Sequence, residues 1–289
     1  MIHSIENGFI KIEVNEKGAE LFSFLNKTRQ KEFLWNGNEK FWQRRSPILF
    51  PIVGRLKDDR YEIEGNSYNL NQHGFARDMV FKLEEKNRKS LSFSLIENQE
   101  TLKIYPFRFC LRVNYQIEEI ILFVKAEVIN KDENPLPFSI GFHPAFFCPF
   151  EKDEKLEDYC LIFEKDEKCE RLFLDNGLIA GKGFFASKKR KLDLTEELFA
   201  NDAIILKNPL SKKVILQRED NKGSKIEVNF KGFPYLGLWK KRGAPFICIE
   251  PWQGVNDYTD FSGDFYNKEG IVILNSNESA EFEFSITLI

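Results

Sequence analysis

The stretch "FCLRVNYQIEEIILFVKAEVIN", residues 109–130, decides the fold class. Apolar and polar side chains alternate through its first half, as they do on the two faces of a β-strand. A Glu–Glu pair then interrupts the pattern, and a second strand-like run follows it. The stretch therefore predicts an antiparallel hairpin with one buried face. The side chains expected on that face are Phe109, Leu111, Val113, Tyr115 and Ile117, with Cys110, Arg112, Asn114 and Gln116 opposite.

The same two-residue period recurs along the chain. It predicts hairpins over residues 9–26 and 213–230, and strands over 91–97 and 281–289. Helix signals are few, and the segment 194–202 predicts one short turn capped by Thr195. There is no alternation of strands with helices, no low-complexity linker and no repeat of fixed period. We therefore predict an all-β fold, a large antiparallel sandwich with very little helix, in a single domain over residues 1–289.

Composition and short sequence features limit the classes of function that the protein could have. The formal charge of −3 gives no basic face for nucleic acid, and "KKRK" at 188–191 is typical of a solvated turn. No apolar run approaches the roughly 18 residues of a membrane span. No signal peptide is visible, and the five cysteines are odd in number without C-x-x-C spacing. These features predict a cytoplasmic protein with reduced thiols, no metal and no cofactor.

Two of the chain's three histidines lie in segments that suggest chemistry: His73 in "NQHGFAR" and His143 in "SIGFHPAFF". Either one alone is also compatible with a structural role. Pro144 requires an extended backbone at His143. Glu250 ends the apolar strand "FICI", where a carboxylate needs a polar pocket, a cation or solvent. Arg55 in "GRL" is either a ligand-binding residue or one half of a surface ion pair with a neighbouring aspartate.

The motifs "GRL", "QHGFAR", "GFHPAF", "NDAIIL" and "FICIEPW", in this order, resemble the aldose 1-epimerase (galactose mutarotase-like) family, in its LacX-like branch. The resemblance runs from about residue 32 to about residue 260 and implies a β-supersandwich. It also implies an isomerase that interconverts the anomers of a hexose without a cofactor. By resemblance, Glu250 is the general base, His143 the general acid and His73 a second active-site histidine. Arg55 and Asp202 fall on substrate-binding positions.

The resemblance is not uniform along the chain. The segment "NQHGFAR" differs from the Asn-His-Leu-His-Gly-Gly-like segment of galactose mutarotases, which leaves the preferred sugar open. Arg77 is shared with the LacX-like and sugar-phosphate-epimerase-like branches, and either contacts substrate or pairs with a carboxylate such as Asp78. Trp252, Phe142 and Phe75 are aromatic candidates for the apolar face of a sugar, and packing is an equal explanation for each.

Anomer interconversion opens and re-forms the C1–O5 bond of a cyclic hemiacetal. A base must take the C1 hydroxyl proton and an acid must protonate the ring oxygen, so we expect Glu250 ionised and His143 protonated at rest. Each group contributes roughly 10²–10⁴ in rate. A neutral or lightly modified hexose is expected rather than a hexose 6-phosphate, because acidic neighbours can pair with several of the arginines near these motifs. The oligomeric state, monomer or homodimer, stays open.

Three alternatives remain at this point. The first is a hexose-6-phosphate 1-epimerase, with Arg45, Arg55 or Arg77 near the phosphate. The second is a carbohydrate-binding protein without turnover. The third is a glycosidase, which uses two carboxylates; Glu250 and Asp202 could supply these, but both histidines would then have no role.

Overall fold

The structure, a computed structural model, describes all residues from 1 to 289 and consists mainly of short antiparallel strands. One α-helix, α1 (Thr101–Ile104), and five 3₁₀ turns complete it; the turns are Lys57–Asp59, Ala76–Asp78, Leu156–Asp158, Glu197–Phe199 and Phe265–Asn267. The strands are β1 (Ile2–Glu6), β2 (Ile10–Asn15), β3 (Glu20–Asn26), β4 (Lys31–Glu32), β5 (Ile48–Leu49), β6 (Arg60–Ile63), β7 (Asn66–Asn69), β8 (Lys82–Lys86), β9 (Ser90–Ile96), β10 (Phe109–Glu118), β11 (Ile121–Asn130), β12 (Leu136–Phe138), β13 (Gly141–Phe142), β14 (Ala145–Phe147), β15 (Tyr159–Phe163), β16 (Lys168–Asp175), β17 (Leu178–Ala186), β18 (Lys191–Asp193), β19 (Ile204–Lys207), β20 (Lys213–Arg218), β21 (Ile226–Asn229), β22 (Tyr235–Trp239), β23 (Phe246–Trp252), β24 (Val272–Leu274) and β25 (Ser279–Leu288).

Two large sheets dominate the architecture. The nine-stranded sheet has the order β18-β15-β20-β21-β25-β11-β10-β9-β8. The eight-stranded sheet has the order β17-β16-β19-β22-β23-β13-β5, with β14 also paired to β23. Strands β1 to β4 form a separate sheet, and β6-β7 and β12-β24 are two-stranded ribbons. This arrangement confirms the predicted all-β, antiparallel fold.

The decisive hairpin is the centre of the nine-stranded sheet. Strands β10 and β11 pair in continuous register from Phe109 opposite Asn130 to Glu118 opposite Ile121. All five side chains predicted on the inner face of β10 are buried in one large core cluster. The same cluster contains side chains of the eight-stranded sheet, and Phe142 on β13 lies 4.7 Å from Phe284 on β25 between ring centroids. The two large sheets therefore face each other across a shared core.

Strand β23 shows how the fold produces a second functional face. Its Ile247 and Ile249 pack into the shared core. Successive side chains of a strand point to opposite faces, so Phe246, Cys248 and Glu250 point away from that core. Phe246 and Cys248 belong to a smaller apolar cluster. The eight-stranded sheet thus buries both of its faces along β23 and carries a carboxylate on the outer one.

The predicted turn at 194–202 is present as the 3₁₀ turn Glu197–Phe199, and the Thr195 hydroxyl accepts a hydrogen bond of 3.2 Å from the Leu198 amide. Helix α1 was not expected from the sequence; the Asn98 side chain holds its start by accepting from the Thr101 amide. No helix in the structure has both the length and the apolar character needed to cross a bilayer.

Candidate active site

A cavity of about 500 Å³ opens on the outer face of the eight-stranded sheet. Its floor comes from β22 and β23, and its walls from the loops before β5, after β7 and after β23. The volume is within the range of small-molecule sites. The residues that line it are Phe41, Trp42, Gln72, His73, Arg77, His143, Leu174, Asp202, Ala203, Trp239, Lys241, Glu250, Trp252 and Asn256.

Glycines on the neighbouring strands make room for the floor of this cavity. Gly237 is the β22 residue directly opposite Glu250, and a Cβ there would lie 3.2 Å from the Cβ of Glu250 and 3.1 Å from the Trp252 indole. Gly141 on β13 is opposite Trp252, where a Cβ would lie 2.8 Å from the ring. Trp252 therefore rests across two strands that lack side chains at the contact, beside the carboxylate.

His143 and Glu250 meet at the base of the cavity. His143 follows β13, and its Nε2 lies 3.0 Å from Oε2 of Glu250. The contact is close but does not have the alignment of a hydrogen bond, and both carboxyl oxygens of Glu250 and Nδ1 of His143 have no hydrogen-bond partner. Glu250 is fully buried and His143 is 7 % exposed. Unpartnered buried polar atoms are uncommon, so their concentration here marks a site for a polar ligand.

Burial sets the protonation state of this pair. It raises the pKa of Glu250 well above its usual value, and the nearby charge of Asp202 acts in the same direction. Burial also lowers the pKa of His143 to about 3. Both shifts oppose the expected ionised carboxylate and protonated imidazole at rest. Loss of solvation disfavours both charges and favours a neutral carboxyl and a neutral imidazole.

His73 is held in a single tautomer. The Gly54 amide donates a hydrogen bond of 3.1 Å to Nδ1 of His73, so the proton of the neutral ring is on Nε2. The side-chain amide of Gln72 contacts the same Nε2 at 3.3 Å, and it accepts from that N–H in the orientation that places its oxygen there. Burial, followed by the nearby His143, lowers the pKa of His73 well below 6.5, which keeps the ring neutral. The backbone of His73 is left-handed, with φ of 67°, and the two imidazoles are 5.8 Å apart at 87°. His73 thus carries an N–H donor beside the His143–Glu250 pair.

The structure brings three further predicted residues to the cavity. Arg77 donates to the Gln72 carbonyl at 2.5 Å, its Nε has no partner, and burial lowers the pKa of its guanidinium to about 10. Asp202 is exposed at the rim, with φ of 72° and one carboxyl oxygen bonded to the Ala203 amide. Trp252 has an unpartnered indole N–H. Each presents a polar group to the cavity.

Other predicted residues lie elsewhere. The guanidinium of Arg55 binds both carboxyl oxygens of Asp59, at 2.9 and 2.8 Å, and is outside the cavity. The alternative of a surface ion pair therefore describes Arg55. Phe75 and Phe142 pack in the shared core rather than on the cavity wall. Arg45 lies over the Phe22 ring at 3.4 Å and does not reach the cavity.

Sequence reasoning missed several wall residues. Trp42 lies 4.9 Å from the His143 ring, tilted by 31°, and 5.6 Å from Trp239. Asn256 is 2 % exposed, donates to the Gly177 carbonyl, and has an unpartnered Oδ1. Trp42 precedes β5 in a loop without periodicity, so no local pattern indicates it. Asn256 follows Glu250 by six residues in "EPWQGVN", and this proximity in sequence was the one signal for it.

Comparison with known proteins gives a consistent result. The family model described as aldose 1-epimerase matches residues 1–287. The chain is 32 % identical to the protein LacX of Lactococcus lactis subsp. lactis over the full length of both. A solved galactose mutarotase related enzyme from Lactobacillus acidophilus has a TM-score of 0.95 and 34 % identity, over 100 % of this chain and 97 % of that one. A galactose mutarotase-like protein from Lactobacillus casei has a TM-score of 0.93 and 32 % identity, over the whole of both chains.

Proposed function

Because the chain belongs to the aldose 1-epimerase family, we propose that it is an isomerase that interconverts the α and β anomers of a free hexose in the cavity on its eight-stranded sheet. One observation carries the proposal: His143 and Glu250 lie 3.0 Å apart, buried and without other polar partners, at the base of a sugar-sized cavity. An acid and a base in that position are what ring opening requires.

The neutral pair can supply both catalytic forms without gaining or losing a proton. Transfer of one proton from Oε2 of Glu250 to Nε2 of His143 gives a carboxylate and an imidazolium. Sugar hydroxyls that enter the cavity solvate these charges, which burial in the protein otherwise disfavours. Glu250 then takes the proton of the C1 hydroxyl while His143 donates its proton to the ring oxygen, and the C1–O5 bond breaks.

Ring closure completes the cycle. After rotation about C1–C2, the ring hydroxyl attacks the other face of the aldehyde. His143 takes back the proton of that hydroxyl, and Glu250 returns a proton to the C1 oxygen. Every proton removed is returned, so the reaction needs no redox partner. His73, as a neutral Nε2–H donor, stabilises negative charge that develops on a sugar oxygen.

The remaining polar groups orient the sugar in this proposal. Arg77 and the Trp252 indole donate hydrogen bonds, and Asp202 and the Asn256 carbonyl accept them. Trp42 and Trp239 offer apolar surface to the C–H face of a pyranose. A buried donor or acceptor gains most from a ligand that pairs with it, because it has no hydrogen-bond partner within the protein.

The test is the rate of anomer exchange of freshly dissolved α-glucose and α-galactose, followed by polarimetry and by exchange NMR. The wild-type protein should accelerate both approaches to equilibrium above the buffer rate. Glu227→Gln, a carboxylate-to-amide change on β21 far from the cavity, should leave the acceleration unchanged. Sugar binding without any acceleration would favour a carbohydrate-binding protein instead.

A second candidate substrate is a hexose 6-phosphate, and the surroundings of Arg77 favour it. Arg77 also lines a neighbouring polar cavity of about 620 Å³, together with Arg44 and Lys17. Glu20, Glu39 and Asp78 line the same cavity, and Asp78 accepts from Arg44 at 2.9 Å, so positive charge there is largely compensated. For this reason we rank the neutral sugar first. A preference of tenfold or more in kcat/KM for glucose 6-phosphate over glucose, lost in Arg77→Ala, would reverse the ranking.

A further inference from the structure

A third potential ligand lies beside the acid–base pair. Cys248 and Glu250 alternate on β23 and share its outer face, and Cys248 is fully buried beneath the cavity. One ligand atom each from His143, Cys248 and Glu250 can be chosen so that all three lie within 4.8 Å of one another. The proposed reaction uses His143 and Glu250 and gives Cys248 no role.

The donor atoms of this trio are available. Nε2 of His143 faces Oε2 of Glu250 at 3.0 Å, both carboxyl oxygens of Glu250 have no hydrogen-bond partner, and Cys248 is a free thiol. His143 and Glu250 also line the cavity, so an ion that enters from solvent meets two ligands directly. Neither of the other two histidines belongs to the trio: His3 contacts Glu16, and His73 lines the cavity but has its Nδ1 bonded to the Gly54 amide.

The donor set fits one metal chemistry. Imidazole nitrogen, thiolate sulfur and carboxylate oxygen are the ligands of Zn²⁺, with bonds of roughly 2.0–2.3 Å that place tetrahedral ligands about 3.5 Å apart. The largest separation in the trio, at most 4.8 Å, therefore needs to shorten by at most about 1.3 Å to reach this ligand spacing. We propose that His143, Cys248 and Glu250 form a zinc-binding site at the base of the cavity, with the fourth position open to water.

Zinc binding displaces a proton from the site. Zn²⁺ binds the thiolate of Cys248, so binding releases the thiol proton and strengthens as pH rises. The imidazole binds in its neutral form. Since the proposed reaction needs Glu250 and His143 free, the bound ion inhibits turnover; this consequence, unlike the site itself, rests on the proposed function.

Binding is tested by calorimetry with Zn²⁺ alone, in a His3→Gln background that removes the surface His3–Glu16 pair. We expect one site, with more protons released than bound when buffers of different ionisation enthalpy are compared. Cys248→Ala should raise Kd by at least about tenfold, the lower end of what weaker outer-shell changes cost. The matched control is Cys169→Ala, another buried cysteine, on β16, with no histidine nearby, and it should leave Kd unchanged.

A second measurement does not depend on how well Cys248→Ala folds. Cd²⁺ added to the His3→Gln protein should give the ultraviolet charge-transfer band of a cadmium thiolate, and Zn²⁺ should remove it by competition. No band, or the same Zn²⁺ affinity in Cys248→Ala and Cys169→Ala, would overturn the site. Zinc binding by an otherwise inactive protein would keep the zinc site and reject only the proposed function. In an active protein, Zn²⁺ should inhibit anomer exchange, and less so in Cys248→Ala relative to that variant's own rate.

Discussion

Glu250→Gln lets the catalytic role of Glu250 be measured separately from the effect of its buried carboxyl group on stability. Glutamine has nearly the shape of glutamate and fits beside Gly237, but it is not a base. We expect kcat for anomer exchange to fall by about 10²–10⁴, the usual contribution of a positioned base. Sugar binding should persist, because Arg77, Asn256 and Trp252 are unchanged. The variant is therefore expected to lose rate and retain affinity.

The same substitution should change stability in a pH-dependent way. Burial and the charge of Asp202 raise the pKa of Glu250 in the folded chain above its unfolded value of 4.5. A raised pKa contributes stability that is fully present below the unfolded pKa and is lost as pH rises towards the folded one. The loss is about 1.4 kcal/mol for each pH unit inside that window. Glutamine does not titrate. The free energy of unfolding of the variant should therefore rise relative to that of the wild type by this amount for each pH unit.

One assay measures the rate of anomer exchange and a second measures the pH dependence of stability. Exchange NMR gives the rate, and urea unfolding between about pH 5 and pH 8 gives the difference in free energy of unfolding. Glu227→Gln is the control for both. Near-normal anomer exchange by Glu250→Gln would show that the base assignment is wrong. A stability difference that does not grow with pH would show that Glu250 is ionised in the folded protein.

Four further outcomes follow. The pH profile of kcat/KM should be a broad bell: the acid limb should lie well below pH 6.5, where the depressed histidine pKa is crossed, and the alkaline limb should appear as the raised carboxyl pKa is crossed. Asn256→Ala should raise KM for hexoses about tenfold, because it removes a buried acceptor without a partner, and a matching deoxysugar should show no such loss. Lys268→Met should lower the free energy of unfolding in urea by about 3–5 kcal/mol. Lys268 Nζ lies 2.8 Å from Oδ1 of Asp257, and its loss leaves that buried carboxylate without its cationic partner. Arg55→Ala should leave kcat/KM within about twofold because its ion pair is outside the cavity, whereas Arg77→Ala should lower it at least tenfold; equal effects would contradict the described geometry.

The long strands could be predicted because each has one buried and one wetter face. Strand β10 buries Leu111 and Val113 and leaves Arg112 partly exposed, so its period is visible in the letters. The short strands that build the cavity have no such contrast. Both residues of β13 are buried, as is every residue of β23, because side chains cover both faces of the sheet there. Burial on both sides removes the alternation on which the prediction depends.

The candidate site was predictable where its residues belong to recognisable segments, and not where tertiary packing places them. His73, His143 and Glu250 each lie in a quoted motif, and the structure brings all three to one cavity. Trp42 reaches His143 only because its loop folds over β23, which no local pattern encodes. Arg55 lies in a recognisable segment too, but Asp59 four residues later captures its guanidinium. A carboxylate close in the sequence can therefore determine where a flexible guanidinium group lies.

The protonation state of the His143–Glu250 pair links the burial of the site to its proposed chemistry. A neutral pair and an ion pair differ only in which group holds the proton between them, so one proton transfer over the 3.0 Å contact converts one into the other. A permanently ionised pair would be costly to bury behind Trp42 and Trp239, and a water-filled site would solvate the charges but weaken their action on the sugar. The oxygens of Glu250 have no hydrogen-bond partner within the protein, and under the proposed function a sugar hydroxyl would supply one. Inserting a permanent donor beside them, with lysine in place of Ala203 at the wall, should therefore lower the pKa of Glu250 and stabilise its carboxylate. Such a variant should bind sugar less tightly and exchange anomers more slowly, although its base is already ionised.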